Sequence, residues 1–189
     1  FSPPIYSKRI LSKNPERGDL VIFKTPADNR TDYIKRLIGL PGDEIYFKEG
    51  NIFLNEIKIE RKTVSTDYKI RCGNYDLKVN AYEETLPNGK KYIAVYNANG
   101  TLMNSKKYTV PLNHYFLMGD NRDCSKDSRF LSSVGYVNKL NLVGKAQIIF
   151  FSNDTVISSV LKFWNWSKSF RYERLLKSIE WSIIKNLKI

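Results

Sequence analysis

Two parts of the sequence carry side chains that could perform acid–base or nucleophilic chemistry. Lys35 stands among apolar residues in the segment YIKRLI at 33–38. The run GDNRDCSKDSR at 119–129 places three Asp, two Arg, one Lys and two Ser within eleven residues. The single histidine, His114, directly precedes an apolar segment, and we expect it to have a structural or surface role. A lysine and a serine-bearing polar run are therefore the main candidates for a site.

Lys35 has the setting of a lysine that could lose its proton near neutral pH. On an extended strand, Tyr33, Lys35 and Leu37 share one face and Arg36 lies on the other. Burial on an apolar face disfavours the charged ammonium, lowers the pKa and suits the amine to act as a general base. Arginine would stay protonated in the same place. The residue pattern alone favours the simpler alternative, an exposed strand lysine without a catalytic role.

The polar run at 119–129 has two interpretations. It is either a solvated loop whose charges pair with one another, or a rigid loop whose Asp–Arg pairs hold a serine hydroxyl. A calcium loop is excluded, because Ser125 and Leu131 stand where that loop needs glycine and a bidentate acid. Two cysteines and one histidine show no zinc-ligand spacing. We therefore expect no metal and no other cofactor.

The segments that must position these residues have the alternation and turn spacing of short β-strands. Pro, Gly and Asn recur roughly every ten residues, and no helical period appears before residue 155. The pattern predicts a mostly β fold, a barrel or sandwich. The predicted strands are 19–24, 33–38, 44–48, 52–54, 57–59, 91–96, 115–118 and 143–151.

Changes in composition divide the chain into three parts. Residues 61–108 are polar and rich in Tyr, Asn and Lys, and we interpret them as an inserted β subdomain whose strand pairing cannot be read. The insertion splits a β core formed by residues 1–60 and 109–151. Residues 152–189 have a helical apolar stripe flanked by Lys and Arg, with all three tryptophans. This tail is either a basic amphipathic helix at a membrane interface or a helix packed on its own domain.

The overall composition restricts the class of protein. Hydrophobic residues make up 42% and charged residues 26%, which excludes a disordered chain. The net charge of +12 favours anionic partners such as nucleic acid or an anionic lipid surface. Cys72 and Cys124 are too few for a disulfide-built scaffold and do not fix the redox compartment. We assign no role to Cys124.

Three motifs together resemble those of bacterial type I signal peptidases, also called leader peptidases. They are RGDLVIF at 17–23, YIKRLIGLPGD at 33–43 and GDNRDCSKDSR at 119–129. They occur in the order and with the intervals of that family, and the resemblance extends from about residue 15 to residue 151. The resemblance favours the functional interpretation of both Lys35 and the polar run.

The resemblance implies a role for each matching residue. Lys35 corresponds to the general base, and Ser125 to the serine whose hydroxyl orients that lysine. Ile22 and Ile34 correspond to apolar residues that line the substrate pockets. Asp127 and Arg129 correspond to a supporting ion pair, and Gly119 leaves room beside the nucleophile. The residues that the third motif assigns to the support of the site are Gly119, Asp120, Asn121, Arg122, Asp127 and Arg129.

The family consists of mostly β serine endopeptidases with a Ser–Lys dyad. Its members remove signal peptides from exported preproteins at the outer face of the bacterial cytoplasmic membrane. The partners implied are preproteins with small residues near the cleavage site, and membrane lipid, without nucleic acid or cofactor. An extended substrate adding to a sheet edge would suit such specificity.

The nucleophile of the family is the main departure. It lies in a Ser-Met-x-Pro-Thr type motif upstream of the RGD strand, and Ser2, Ser7 and Ser12 do not match it. We expect the nucleophile, the oxyanion-hole donors and a membrane anchor to precede Phe1. Without the nucleophile there is no covalent step, so we expect the 189 residues alone to be inactive.

Other functions compete with this one. A related Ser–Lys peptidase with the same β core, of the self-cleaving repressor type or the pilus-processing type, is the nearest. A catalytically dead relative that binds membrane or preprotein is another. A basic β domain that binds nucleic acid fits the charge and the aromatic residues, but its basic residues would have to be concentrated and here they are spread along the chain.

Overall fold

The computed structural model describes residues 14–146, which form three β-sheets and contain no α-helix. All strand pairs within these sheets are antiparallel. The mostly β class predicted from the alternation and turn spacing is confirmed. The predicted tail at 152–189, and the predicted strand beyond residue 146, lie outside the described residues.

The first sheet carries Lys35 and has five strands in the order β11, β10, β2, β1 and β12. The strand β2 is central: residues 32–36 pair with β1, and residues 36–39 pair with β10. The bounds are β1 Leu20–Lys24, β2 Asp32–Gly39, β10 His114–Met118, β11 Val137–Asn138 and β12 Leu142–Lys145. A short 3-10 helix, Lys139–Asn141, joins β11 to β12.

The second sheet has four strands in the order β5, β4, β3 and β9. Their bounds are β3 Glu44–Lys48, β4 Asn51–Leu54, β5 Ile57–Lys58 and β9 Tyr108–Thr109. Glu49 and Gly50 link β3 to β4 with φ values of 51° and 71°. Two successive residues with positive φ match the right-handed twist of the flanking strands, which explains the tight hairpin at this point.

The third sheet is a meander of β6 Glu60–Cys72, β7 Tyr75–Thr85 and β8 Lys91–Asn97. Except for its first residue, Glu60, it falls within the segment 61–108 interpreted as an inserted subdomain, whose boundaries stay a prediction. Its apolar residues do not form a separate core. Leu86, Tyr92 and Ala94 share one buried cluster with Ile45 and Phe116 from the other two sheets. The third sheet is therefore packed directly against the strands that carry the candidate site.

The two faces of β2 serve two buried clusters. Ile38 belongs to the cluster that includes the second and third sheets. Leu37 belongs to the other cluster, with Val21 and Phe23 of β1. This is the alternation expected from the sequence, and it places Lys35 on the face of Leu37. Within residues 14–146, no helix is long and apolar enough to cross a membrane.

Candidate active site

Lys35 is held half-buried on β2, opposite Val21 of β1. Its Nζ lies 5.4 Å from the centre of the Tyr33 ring, two residues away on the same face. Desolvation is the main cause that lowers the pKa of Lys35 below its ordinary value, and the positive charge of Arg129 acts in the same direction. The carboxylates of Asp127 and Asp120 act in the opposite direction. The net effect favours the neutral amine that a general base requires.

The strand register brings the polar run beside Lys35. Leu117 and Met118 of β10 pair with Leu37 and Arg36 of β2. Since the two strands are antiparallel, the next residue along β10, Gly119, leaves the sheet next to Lys35. The loop 119–129 therefore begins at the lysine.

Ser125 lies directly over Gly119. A Cβ atom on Gly119 would be 2.0 Å from Ser125 Oγ and 2.3 Å from Ser125 Cβ. The Ser125 hydroxyl is buried and has no hydrogen-bond partner in the described part of the chain. A buried hydroxyl without a partner is costly, so it is available to a nearby amine. The structure thus brings Lys35, Gly119 and Ser125 together, although it shows no hydrogen bond between Lys35 and Ser125.

Gly119→Ala is expected to displace Ser125, because the added methyl group would occupy the position of the serine side chain. The activity assays use the protein produced from the whole gene, called the gene-encoded protein below. We expect its cleavage activity to fall by roughly 100-fold, the effect of about 1 Å of misplacement. A steady-state assay on a preprotein measures it. Gly144→Ala is the matched control, since a Cβ at Gly144 meets no atom within 4 Å. Equal activities of the two variants would show that Ser125 does not need this space.

Asp127 and Arg129 close the far end of the loop. The Arg129 guanidinium donates to both carboxylate oxygens of Asp127, at 2.8 Å each. The same carboxylate accepts the backbone N–H of Gly119 at 2.8 Å. Ser128 exchanges two hydrogen bonds with the backbone of Leu117, at 2.9 and 3.0 Å. These contacts fold the loop back onto its own starting strand, over the lysine.

Arg36 fixes the beginning of the loop. Its guanidinium donates to both carboxylate oxygens of Asp120 at 2.8 Å and to the backbone oxygen of Gly18 at 2.7 Å. It also stacks on the Tyr92 ring, 4.3 Å from the ring centre. Since Arg36 follows Lys35 in sequence, this bidentate contact joins the lysine strand to the serine loop.

A buried polar network that the sequence analysis missed anchors Arg122. The guanidinium donates to Glu84 at 2.6 Å, to Tyr96 at 2.8 Å and to Tyr92 at 2.9 Å. Both tyrosine hydroxyls also donate to the Glu84 carboxylate. Burial raises the pKa of Tyr92 and of Tyr96, so both hydroxyls keep their protons. Arg122 in the loop 119–129 implies an acidic partner, but nothing in the sequence identifies Glu84 as that partner.

Strand β8 holds the loop through its backbone as well. The Val95 N–H donates to the Asp120 oxygen at 2.8 Å, and the Arg122 N–H donates to the Val95 oxygen at 2.9 Å. The Asp123 carboxylate accepts the Asn97 N–H and the Thr101 hydroxyl, both at 2.8 Å. Residues 120–123 are therefore fixed to the third sheet.

Ile22 and Ile34 face each other across β1 and β2. Ile34 is 46% exposed, which is unusual for a large apolar residue on a central strand. The ladder between β2 and β10 stops at Arg36, so residues 32–35 pair only with β1 among the described strands. An extended peptide could therefore pair with β2 beside Lys35 and place side chains against these isoleucines.

The two cysteines form a disulfide, Cys72–Cys124, which the sequence analysis did not predict. It connects the end of β6 to the residue before Ser125. Within residues 14–146, no cluster of three or more His, Cys, Asp or Glu side chains could hold a metal ion.

Comparisons with known proteins show which family the chain is similar to. The family model described as signal peptidase, peptidase S26, matches residues 5–151. The signal peptidase I of Rickettsia typhi is 40% identical over 191 residues, covering 93% of this chain and 70% of the relative. That of Rickettsia massiliae is 40% identical with the same coverage. A crystal structure of a signal peptidase I from Enterococcus faecalis V583 is 26% identical, with a TM-score of 0.41, and covers 70% of this chain and 97% of that chain.

Proposed function

The chain belongs to the signal peptidase I family of serine endopeptidases, peptidase S26, and from this premise we propose that Lys35 is the general base of its peptide cleavage. Signal peptidases act on the signal peptides of preproteins. The observation that supports the assignment is a half-buried lysine beside a buried serine hydroxyl that has no partner among the described residues. Arg36 on the same strand is fully charged and paired with Asp120, so it cannot take this role.

The neutral Lys35 amine would take the proton of the attacking serine, as a general base does in acyl transfer. Ser125 would orient the amine by a hydrogen bond, so that its lone pair points at the nucleophile. The ion pairs of Asp127 with Arg129 and of Asp120 with Arg36 hold the loop in place. No serine of the chain matches the nucleophile motif of the family, and the inactivity of an isolated 189-residue polypeptide stays a prediction.

The open edge of β2 would bind the substrate. A preprotein in extended conformation would pair with residues 32–35, and Ile22 and Ile34 would contact the side chains near the cleavage site. We place the catalytic unit on the outer face of the bacterial cytoplasmic membrane. The Cys72–Cys124 disulfide supports this location, because disulfides persist in oxidising compartments. Membrane lipid remains a proposed partner.

Ser125→Ala tests whether the Ser125 hydroxyl orients Lys35. Without the Ser125 hydroxyl the Lys35 amine loses its orientation, so we expect kcat of the gene-encoded protein to fall by roughly 10- to 100-fold, the range that misplacement by up to about 1 Å produces. KM should change little, because Ser125 does not line the open edge of β2. Ser132→Ala, which alters an exposed serine of the same region, is the control. Wild-type kcat in the Ser125→Ala protein would remove the orienting role.

A further inference from the structure

The tip of the β6–β7 hairpin is covalently joined to the serine loop. Cys72 ends β6, and its disulfide partner Cys124 immediately precedes Ser125, 52 residues further along the chain. The two Cα atoms are 5.8 Å apart, the usual separation for a disulfide. The third sheet therefore reaches the loop at Cys124 as well as through β8.

The residues on either side of this point are fixed by other contacts. Asp123 accepts one hydrogen bond from Asn97, the last residue of β8, and one from Thr101 in the segment that follows β8. Asp127 is held by Gly119 and by the bidentate contact of Arg129. The loop thus has a firm anchor before Cys124 and another after Lys126.

The three residues between these anchors have few contacts of their own. The Cys124 N–H donates to Asn121 Oδ1 at 3.3 Å, which is long for such a bond. Within the described structure, neither the side chain nor the backbone of Ser125 or Lys126 takes part in a hydrogen bond. Apart from packing against Gly119, the disulfide is the main restraint on the position of Ser125.

We propose that the Cys72–Cys124 disulfide is a positioning link that holds Ser125 over Gly119 and beside Lys35. The inference rests on the proposed role of Ser125 in orienting the lysine. When the link is cut, the span 124–126 gains freedom while both anchors stay in place. Ser125 then leaves its position part of the time, and water reaches the lysine. Neither cysteine belongs to the open edge of β2 at residues 32–35, where the substrate would pair, so the effect on Lys35 acts through Ser125.

A dithiol reductant cuts the link without changing the sequence. The dithiol transfers two electrons and two protons, so that the Cys72–Cys124 bond breaks, two thiols form and the reductant becomes a cyclic disulfide. Cys72→Ala cuts it at the end remote from Ser125. The two treatments should therefore give the same protein at the site, and the reductant should have no further effect on the Cys72→Ala variant.

Two readouts are needed, and the first does not depend on catalysis. The pKa of Lys35 is measured by NMR titration of the oxidised protein, the reduced protein and the Cys72→Ala variant. Loss of burial should move this pKa upward, toward 10.5, in the last two. The second readout is kcat of the gene-encoded protein, for which we expect a fall of roughly 10- to 100-fold with little change in KM. Asn74→Ala, at an exposed position in the same hairpin turn, should match the wild type in both.

An unchanged Lys35 pKa and an unchanged kcat after complete reduction, verified by thiol titration, would overturn the proposed positioning role of the disulfide. The finding that both cysteines are free thiols in the untreated protein would also overturn it. If Cys72→Ala does not fold, the reduced wild-type protein decides the question by itself. If Ser125→Ala lowers kcat while reduction does not, the link fails and the proposed function stands. If Ser125→Ala has no effect either, both fail.

Discussion

Lys35→Arg is expected to reduce the cleavage of a preprotein by the gene-encoded protein by about 10²–10⁴-fold, the usual contribution of a general base. Arginine carries the charge of a protonated lysine on a somewhat longer side chain, but it does not lose its proton. The variant therefore separates a base from a residue that only supplies charge. The measurement is kcat/KM on a preprotein substrate, with unfolding curves to show that the variant is folded.

The pH dependence of kcat/KM for the wild-type protein also tests whether Lys35 is the base, and its direction can be predicted. Only the neutral amine accepts a proton, so kcat/KM should rise with pH until the pH exceeds the pKa of Lys35. Burial lowers that pKa, which shifts the rise to lower pH than an exposed lysine would give. Lys48→Arg, at the exposed end of β3, is the control and should leave both activity and profile unchanged. Activity in Lys35→Arg equal to that of the control would contradict the assignment.

Glu84→Ala is expected to lower the free energy of unfolding by about 3–5 kcal/mol, because it leaves the Arg122 charge buried without its carboxylate partner. Glu84 is fully buried and Arg122 is 1% exposed, so water cannot replace the lost contact. The two tyrosine hydroxyls also lose their acceptor. Urea unfolding of the 189-residue chain measures the change without any need for activity.

The neighbouring residue provides a matched control for this stability prediction. Glu83 pairs with Lys91 at 3.3 Å, but the Lys91 side chain is 59% exposed. An exposed pair contributes about 0–1 kcal/mol, so Glu83→Ala should cost at most that amount. Replacing Glu84 and Arg122 together by methionine should cost less than Glu84→Ala, since the buried Arg122 charge is then removed together with its partner. Arg61, 3.6 Å from Glu84, loses the same carboxylate in both variants. A loss below 1 kcal/mol in Glu84→Ala would show that Arg122 does not depend on this carboxylate.

The sequence predicted most strands of the first two sheets, and β8 of the third, because their side chains favour strands and strong turn residues end them. The two-residue strands β9 and β11 were not predicted. The alternation around Lys35 also gave the correct face, since Leu37 and Ile38 do belong to different buried clusters. The strands β6 and β7 were not predicted, for a physical reason. Irregularities in the pairing of β6, between Thr63 and Tyr68, shift the register against β7 and break the period of two.

Some residues of the site could likewise be predicted from the sequence, and others could not. Lys35 and Ser125 could be predicted as site residues because both lie in motifs whose local order can be compared with a family. Arg122 and Glu84 are 38 residues apart, and Cys72 and Cys124 are 52 apart. Such pairs depend on how the third sheet packs against the first, which no local pattern specifies. The function of the family was therefore accessible from sequence, while the support of its serine loop required the structure.

The central claim, that Lys35 is the base of this site, can be tested most directly by NMR titration of its side-chain nitrogen. The protein is labelled with ¹⁵N-lysine, and the Lys35 signal is identified by its loss in Lys35→Arg. We predict a titration midpoint below 10.5, because the half-buried amine is desolvated beside Ser125 and Arg129. A midpoint at or above 10.5 would show a solvated or firmly paired ammonium and would contradict the account.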